Sequence, residues 1–208
     1  MKLCVRFVLF AVLLALPSFL QADTLGVATS TGFLGLNTGT WTLGYSFEVN
    51  TPITVTALAV LDADADGLNV SHEVGIWDAN QNLLASITVA AGTVDPILGG
   101  YRYAAITELP LTAGNIYYVG SVNGMDNDGW YQDPSYLAAA PEITYLSRQF
   151  EFSSGGLVFP GQAGSGNTGY FGGNFLFEST AAVPEPTSLL LLGTGLGVIG
   201  LASWRRRK

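Results

Sequence analysis

The sequence predicts an all-β fold: an antiparallel β-sandwich with jelly-roll-like connections, set between an N-terminal signal helix and one C-terminal transmembrane helix. Three observations predict it. Thr, Val, Ile and aromatic residues recur in short runs, with Gly at 26 positions to serve the turns between them. Those runs alternate apolar and polar residues with a period of two, and no internal segment keeps a helical stripe. Each end carries an apolar stretch flanked by basic residues.

Residues 1–22 read as an export leader. Lys2 and Arg6 give a positive start, Phe7–Leu16 is apolar, and Pro17 breaks the run ahead of cleavage after Ala22. Cys4, the one cysteine, falls inside this leader, so the rest of the chain holds no disulfide, thiolate metal site or cysteine nucleophile. Residues 23–40 are polar and rich in Gly and Thr, with Leu25, Val27, Phe33 and Leu36 as apolar anchors.

Alternation starts at Trp41. Trp41, Leu43, Tyr45, Phe47 and Val49 share one parity, with Thr42, Gly44, Ser46 and Glu48 between them, the pattern of a half-buried strand. Asn50-Thr51-Pro52 interrupts it, and Ile53–Leu61 continues as a more fully apolar strand. Further strands are expected at Glu73–Asp78, Leu83–Val89, Tyr101–Ile106, Ile116–Val122, Ile143–Phe152 and Phe171–Phe177. The turn formers between them include Asp78-Ala79-Asn80, Asp95-Pro96, Gly99-Gly100 and Ala113-Gly114-Asn115. Ser135–Glu142 is the one plausible short helix, and 155–169 is Gly-rich and reads as loop.

The chain closes with Val183-Pro184-Glu185-Pro186, an apolar run Thr187–Trp204, and Arg205-Arg206-Arg207-Lys208. As a helix that run reaches about 27 Å, close to the roughly 30 Å of a hydrocarbon core. The basic cluster belongs on the cytoplasmic side, which leaves the body outside. The organisation is thus a leader (1–22), a β domain (23–182) and a tail (183–208) with its span at 187–204.

Charge excludes one class of partner. Between residues 23 and 183 the only cations are Arg102 and Arg148, against fifteen of the 16 acidic residues (all but Glu185), about −13 by formal count. A phosphate backbone would be repelled, so nucleic acid is not a partner, whereas divalent cations and neutral hydroxyl-rich ligands are compatible.

Asp62-Ala63-Asp64-Ala65-Asp66-Gly67, with Glu73 twelfth, satisfies the calcium-loop pattern D-x-D-x-D-G-x5-E. Alternate carboxylates can converge on one cation, Gly67 permits the turn, and Leu68 can offer its carbonyl; unrelieved repulsion among the acids favours a bound ion. The context is not that of an EF-hand, because strands rather than helices flank the loop and Asn69 stands at position eight. The competing reading is a solvated loop that uses Asp as a turn former. A second acidic loop, Asp126-Asn127-Asp128-Gly129, precedes Trp130, Tyr131 and Tyr136, the materials of sugar stacking, although such rings more often serve a core. His72 is the one histidine; beside Ser71 and Glu73 it would have to serve any Ser-His-acid triad, but no G-x-S-x-G accompanies it, and a structural hydrogen-bonding role is expected.

Two resemblances follow. The Pro184-Glu185-Pro186 motif, Gly-punctuated span and terminal Arg cluster resemble the PEP-CTERM sorting signal of Gram-negative bacteria. That resemblance implies processing by exosortase, a membrane-embedded cysteine protease-transpeptidase, and a link to exopolysaccharide and biofilm. From Trp41 to Gly124 the chain resembles a domain of unknown function found in exported bacterial proteins, through Thr54-Val55-Thr56-Ala57-Leu58, Asp66-Gly67-Leu68, Ser71–Asp78, Gly100-Tyr101-Arg102-Tyr103 and Leu111-Thr112-Ala113-Gly114 with Tyr117-Tyr118-Val119. It implies a β-sandwich and no particular activity. The expectation is a non-enzymatic exported surface or matrix protein, held transiently in the inner membrane and stabilised by calcium; a carbohydrate-binding module is the alternative and a secreted hydrolase a distant third.

Overall fold

The computed structural model describes residues 23–29, 33–35, 39–132, 137–164 and 169–179; the leader, the sorting tail with its span at 187–204, and Tyr136 lie outside the described residues. Every regular element within them is a β-strand. In chain order these are β1 (Thr24–Leu25), β2 (Val27–Thr29), β3 (Phe33–Gly35), β4 (Trp41–Val49), β5 (Ile53–Leu61), β6 (His72–Asp78), β7 (Leu83–Val89) and β8 (Ile97–Leu98). They continue as β9 (Tyr101–Leu111), β10 (Ile116–Asn123), β11 (Trp130–Gln132), β12 (Leu137–Ala139), β13 (Ile143–Phe152), β14 (Gln162–Ala163), β15 (Tyr170–Phe171) and β16 (Gly173–Ser179).

Two antiparallel sheets form the sandwich, one in the order β1-β16-β5-β9-β8 and the other β14-β13-β4-β10-β6-β7. Two small sheets, β15-β11-β3 and β12-β2, accompany them. The β4–β10 and β5–β9 pairings are successive parts of one antiparallel ribbon, which crosses from the larger sheet to the smaller at Asn50–Pro52 and returns at Thr112–Asn115. This is the wrapping of a jelly roll. Pro110 lies in β9 opposite Thr54 of β5 and beyond Tyr101 and Arg102, the two residues that β8 pairs, so one flank of the strand needs no donor there.

The odd parity of β4 faces the core as the alternation predicts. Tyr45, Phe47 and Val49 are fully buried, and the Phe47 ring stacks on Phe175 of the opposite sheet with centroids 4.8 Å apart. Each such side chain contributes about 1.5–3 kcal/mol by burial, and a ring pair about 0.5–1.5 kcal/mol more.

The even parity departs from expectation, since Thr42, Gly44 and Ser46 are buried too. The reason is tertiary. The segment 153–163, most of which falls in the expected loop 155–169 and is irregular apart from β14, lies as a strap over the outer face of the larger sheet. Phe159 meets Trp77 and Tyr118 edge-on, Val158 N–H donates to Thr42 Oγ1 (3.1 Å), and Leu157 N–H donates to Glu73 Oε2 (3.0 Å). Gly44 is required beneath it: a Cβ there would lie 1.8 Å from the Val119 carbonyl oxygen.

The helix expected at Ser135–Glu142 is not formed over its described residues, 137–142. Leu137–Ala139 is instead strand β12, paired with Val27–Thr29, and Pro141-Glu142 is a turn. Ala138-Ala139-Ala140 has helical propensity, but the unpaired edge of β2 offers those residues backbone partners that a single helical turn cannot match.

Candidate functional site

The two acidic loops, separate in sequence, meet at one end of the sandwich. They line a single cleft of about 340 Å³, with Asp62, Asp64 and Asp66 on one wall, Asn127 and Asp128 on the other, and Asn69 and Tyr131 between them. The first loop leaves the end of β5. It turns through Ala65 and Gly67 with positive φ (62° and 117°), and Gly67 sits so close to Gly92 that a Cβ would lie 2.9 Å from the latter's carbonyl carbon. The second leaves β10 and turns at Asn127, φ 66°, the left-handed region that Asn tolerates.

Asp62 is buried and paired. Arg102 Nε donates to its Oδ2 at 2.6 Å, while the other guanidinium nitrogens donate to the carbonyls of Asp95 (2.9 Å) and Ala65 (3.3 Å). The repulsion that would by itself call for a cation therefore has an internal counter-charge, which sequence reasoning missed. The available signal was that Arg102 is one of two cations in an acid-rich body, within the strand motif Tyr101-Arg102-Tyr103. Asp62, Asp64 and Asp66 can each still place an oxygen within 4.8 Å of the others. The hydrogen bond and charge of Asp64 raise the pKa of Asp66.

The other two residues of the expected calcium set are not in this group. The Leu68 carbonyl accepts from Gly92 N–H (2.7 Å), and the Glu73 carboxylate lies on the outer face of the sheet under the strap. Glu73 belongs to β6, whose pleat turns it away from the cleft while its neighbours His72 and Val74 are buried. A literal twelve-residue match is thus divided between two faces.

His72 is buried on that inner face. Nδ1 lies 2.7 Å from the Val122 carbonyl and Nε2 2.8 Å from Asp128 Oδ2. Both contacts face acceptors, so neither ring nitrogen is left for a serine or a water nucleophile. Asp128 in turn accepts from Asn69 N–H (2.9 Å), Asn69 Nδ2 (2.8 Å) and Val70 N–H (3.1 Å). Burial opposes its ionisation, but these donors and His72 together hold its pKa below the ordinary 3.8. The cluster clasps the second acidic loop to the entry of β6. Asp126 stands beside it, accepting from the N–H groups of Gly124 and Asp128.

The rings expected to stack on sugars are placed differently. Trp130 is 5% exposed and lies flat against Gly35, and Tyr131 is 8% exposed and joins the core, so neither offers an open ring face. Exposed aromatic surface sits instead at Phe152, edge-on to Trp41.

Fold and site define an all-β sandwich module with an acidic cleft at one pole and a histidine engaged on both ring nitrogens beside it. Residues 182–208 match the PEP-CTERM protein-sorting motif. The chain is an exported protein that exosortase processes, with a membrane-anchor-like C-terminus. A comparison with curated protein sequences finds no match. Among the described residues no helix is long and apolar enough to cross a membrane, and the run 187–204 lies outside them.

Proposed function

We propose that this chain is a non-enzymatic surface or matrix protein, associated with exopolysaccharide, whose sandwich binds a divalent cation in the acidic cleft. In this reading the leader 1–22 is removed and the body 23–182 is displayed outside. Thr187–Trp204 spans the inner membrane until exosortase acts near Pro184-Glu185-Pro186, and Arg205, Arg206, Arg207 and Lys208 remain on the cytoplasmic side. The observation that carries the reading is the convergence of two acidic loops on one cleft, beside a histidine whose two nitrogens are already engaged.

Carboxylate and amide oxygens are hard donors, which suits calcium rather than a thiophilic metal. Asp64, Asp66 and the second oxygen of Asp62 supply the charge, with the Asn69 and Asn127 side chains at the rim. A cation there competes with protonation of Asp66, so binding weakens as pH falls through the raised Asp66 pKa. The test is thermal unfolding of residues 23–182 with excess calcium and with chelator. At calcium about a hundredfold above its Kd, the expected rise in Tm is about 5–10 °C. D64N and D66N together remove that rise; identical Tm values in calcium and chelator rule the cation out.

A further inference from the structure

We infer that the membrane-tethered protein stands with its acidic cleft pointing away from the bilayer, and that its opposite pole, formed by the Asn50–Pro52, Ala79–Asn82 and Thr112–Asn115 connections, is the face it turns to the membrane. The inference rests on the proposed span at Thr187–Trp204 and adds an orientation to it.

Strand direction carries the argument. In β16, Gly173 pairs with Val60 and Ser179 with Ile53, so the chain leaves the sandwich beside the start of β5. The cleft begins at the other end of β5, where Leu61 and Asp62 line it. Across the nine residues of β5, at about 3.3 Å each, exit and cleft lie about 26 Å apart along the strand. Eight Cα steps separate Ser179 from Thr187, and a chain of that length reaches at most about 29 Å. The exit pole therefore adjoins the tether, and the cleft, a sandwich length further along, reaches the headgroups only if the body folds back along a fully extended linker.

A cleft so presented meets soluble or matrix ligands from outside and not lipid. The pole turned to the membrane is also the surface that a membrane-embedded processing enzyme encounters.

The single cysteine makes the test clean. With Cys4→Ser, a fluorophore is placed at Ala113→Cys on the exit pole or Ala63→Cys on the cleft pole, both exposed turn alanines. The full chain is reconstituted in phosphatidylethanolamine–phosphatidylglycerol vesicles containing a headgroup nitroxide lipid, and co-flotation confirms the anchor. The expected result is loss of fluorescence at Ala113→Cys and none at Ala63→Cys. Equal quenching, or stronger quenching at Ala63→Cys, in protein that floats with the vesicles overturns the orientation and leaves the anchor standing. Protein that does not float overturns the anchor and the orientation with it.

Discussion

Replacing Asp128 tests the physical core of the site. Its carboxylate accepts four hydrogen bonds, from Asn69 N–H, Asn69 Nδ2, Val70 N–H and His72 Nε2, at 2.8–3.1 Å. The His72–Asp128 side chains are 1% and 6% exposed, so the pair is shielded from water. Asp128→Ala removes every acceptor and leaves the His72 ring buried without its partner, which costs about 3–5 kcal/mol. With a urea slope near 2 kcal/mol per molar, the unfolding midpoint falls by about 1.5–2.5 M. Asp128→Asn keeps the shape and loses the charge, for about 1.5–3 kcal/mol. The pH dependence has a definite sign: because the folded pKa of Asp128 lies below its ordinary 3.8, its contribution is present above that value and is lost as pH falls through the depressed one. Wild type and Asp128→Asn should therefore converge in acid. Equilibrium urea unfolding followed by Trp fluorescence provides the assay. A loss below about 1 kcal/mol for Asp128→Ala, the size expected of an exposed pair, would refute the buried clasp.

Two further outcomes test the packing. Arg102→Met leaves Asp62 buried without its counter-charge and should cost about 3–5 kcal/mol in the same assay, whereas the double variant Arg102→Met/Asp62→Leu should recover a substantial part of it. Gly44→Ala drives a Cβ into the Val119 carbonyl and should cost at least about 3 kcal/mol or abolish folding, read as loss of the cooperative transition, while Gly114→Ala meets open space, keeps only the strain of φ +78°, and costs about 1–2 kcal/mol.

The agreement between sequence and fold is uneven in an instructive way. β4, β5, β7 and β13 coincide with the runs read from alternation, because each is paired on both sides or carries a strong period of its own. β1, β2, β3 and β12 escaped notice, since strands of two or three residues are too short to show a period and exist only because a partner edge is present. The same local reading left Glu73 with two roles, first residue of a strand and twelfth position of the calcium pattern. Its position in the motif was legible, but which face of β6 it occupies depends on the pleat and on the strap that Leu157 lays over it.

By itself, the sequence determined what depends on neighbours along the chain: a β domain, two acidic turns, and a tail matched to exosortase sorting. Only the tertiary structure decided that the two turns share one cleft, that Arg102 neutralises Asp62, that His72 is engaged on both nitrogens, and that Trp130 and Tyr131 face inward. Alternation and turn chemistry are written in consecutive residues. Contacts such as Asp62 with Arg102 or His72 with Asp128 are set by strand register and by the crossing of a ribbon between sheets, and that register follows from burial over the whole core.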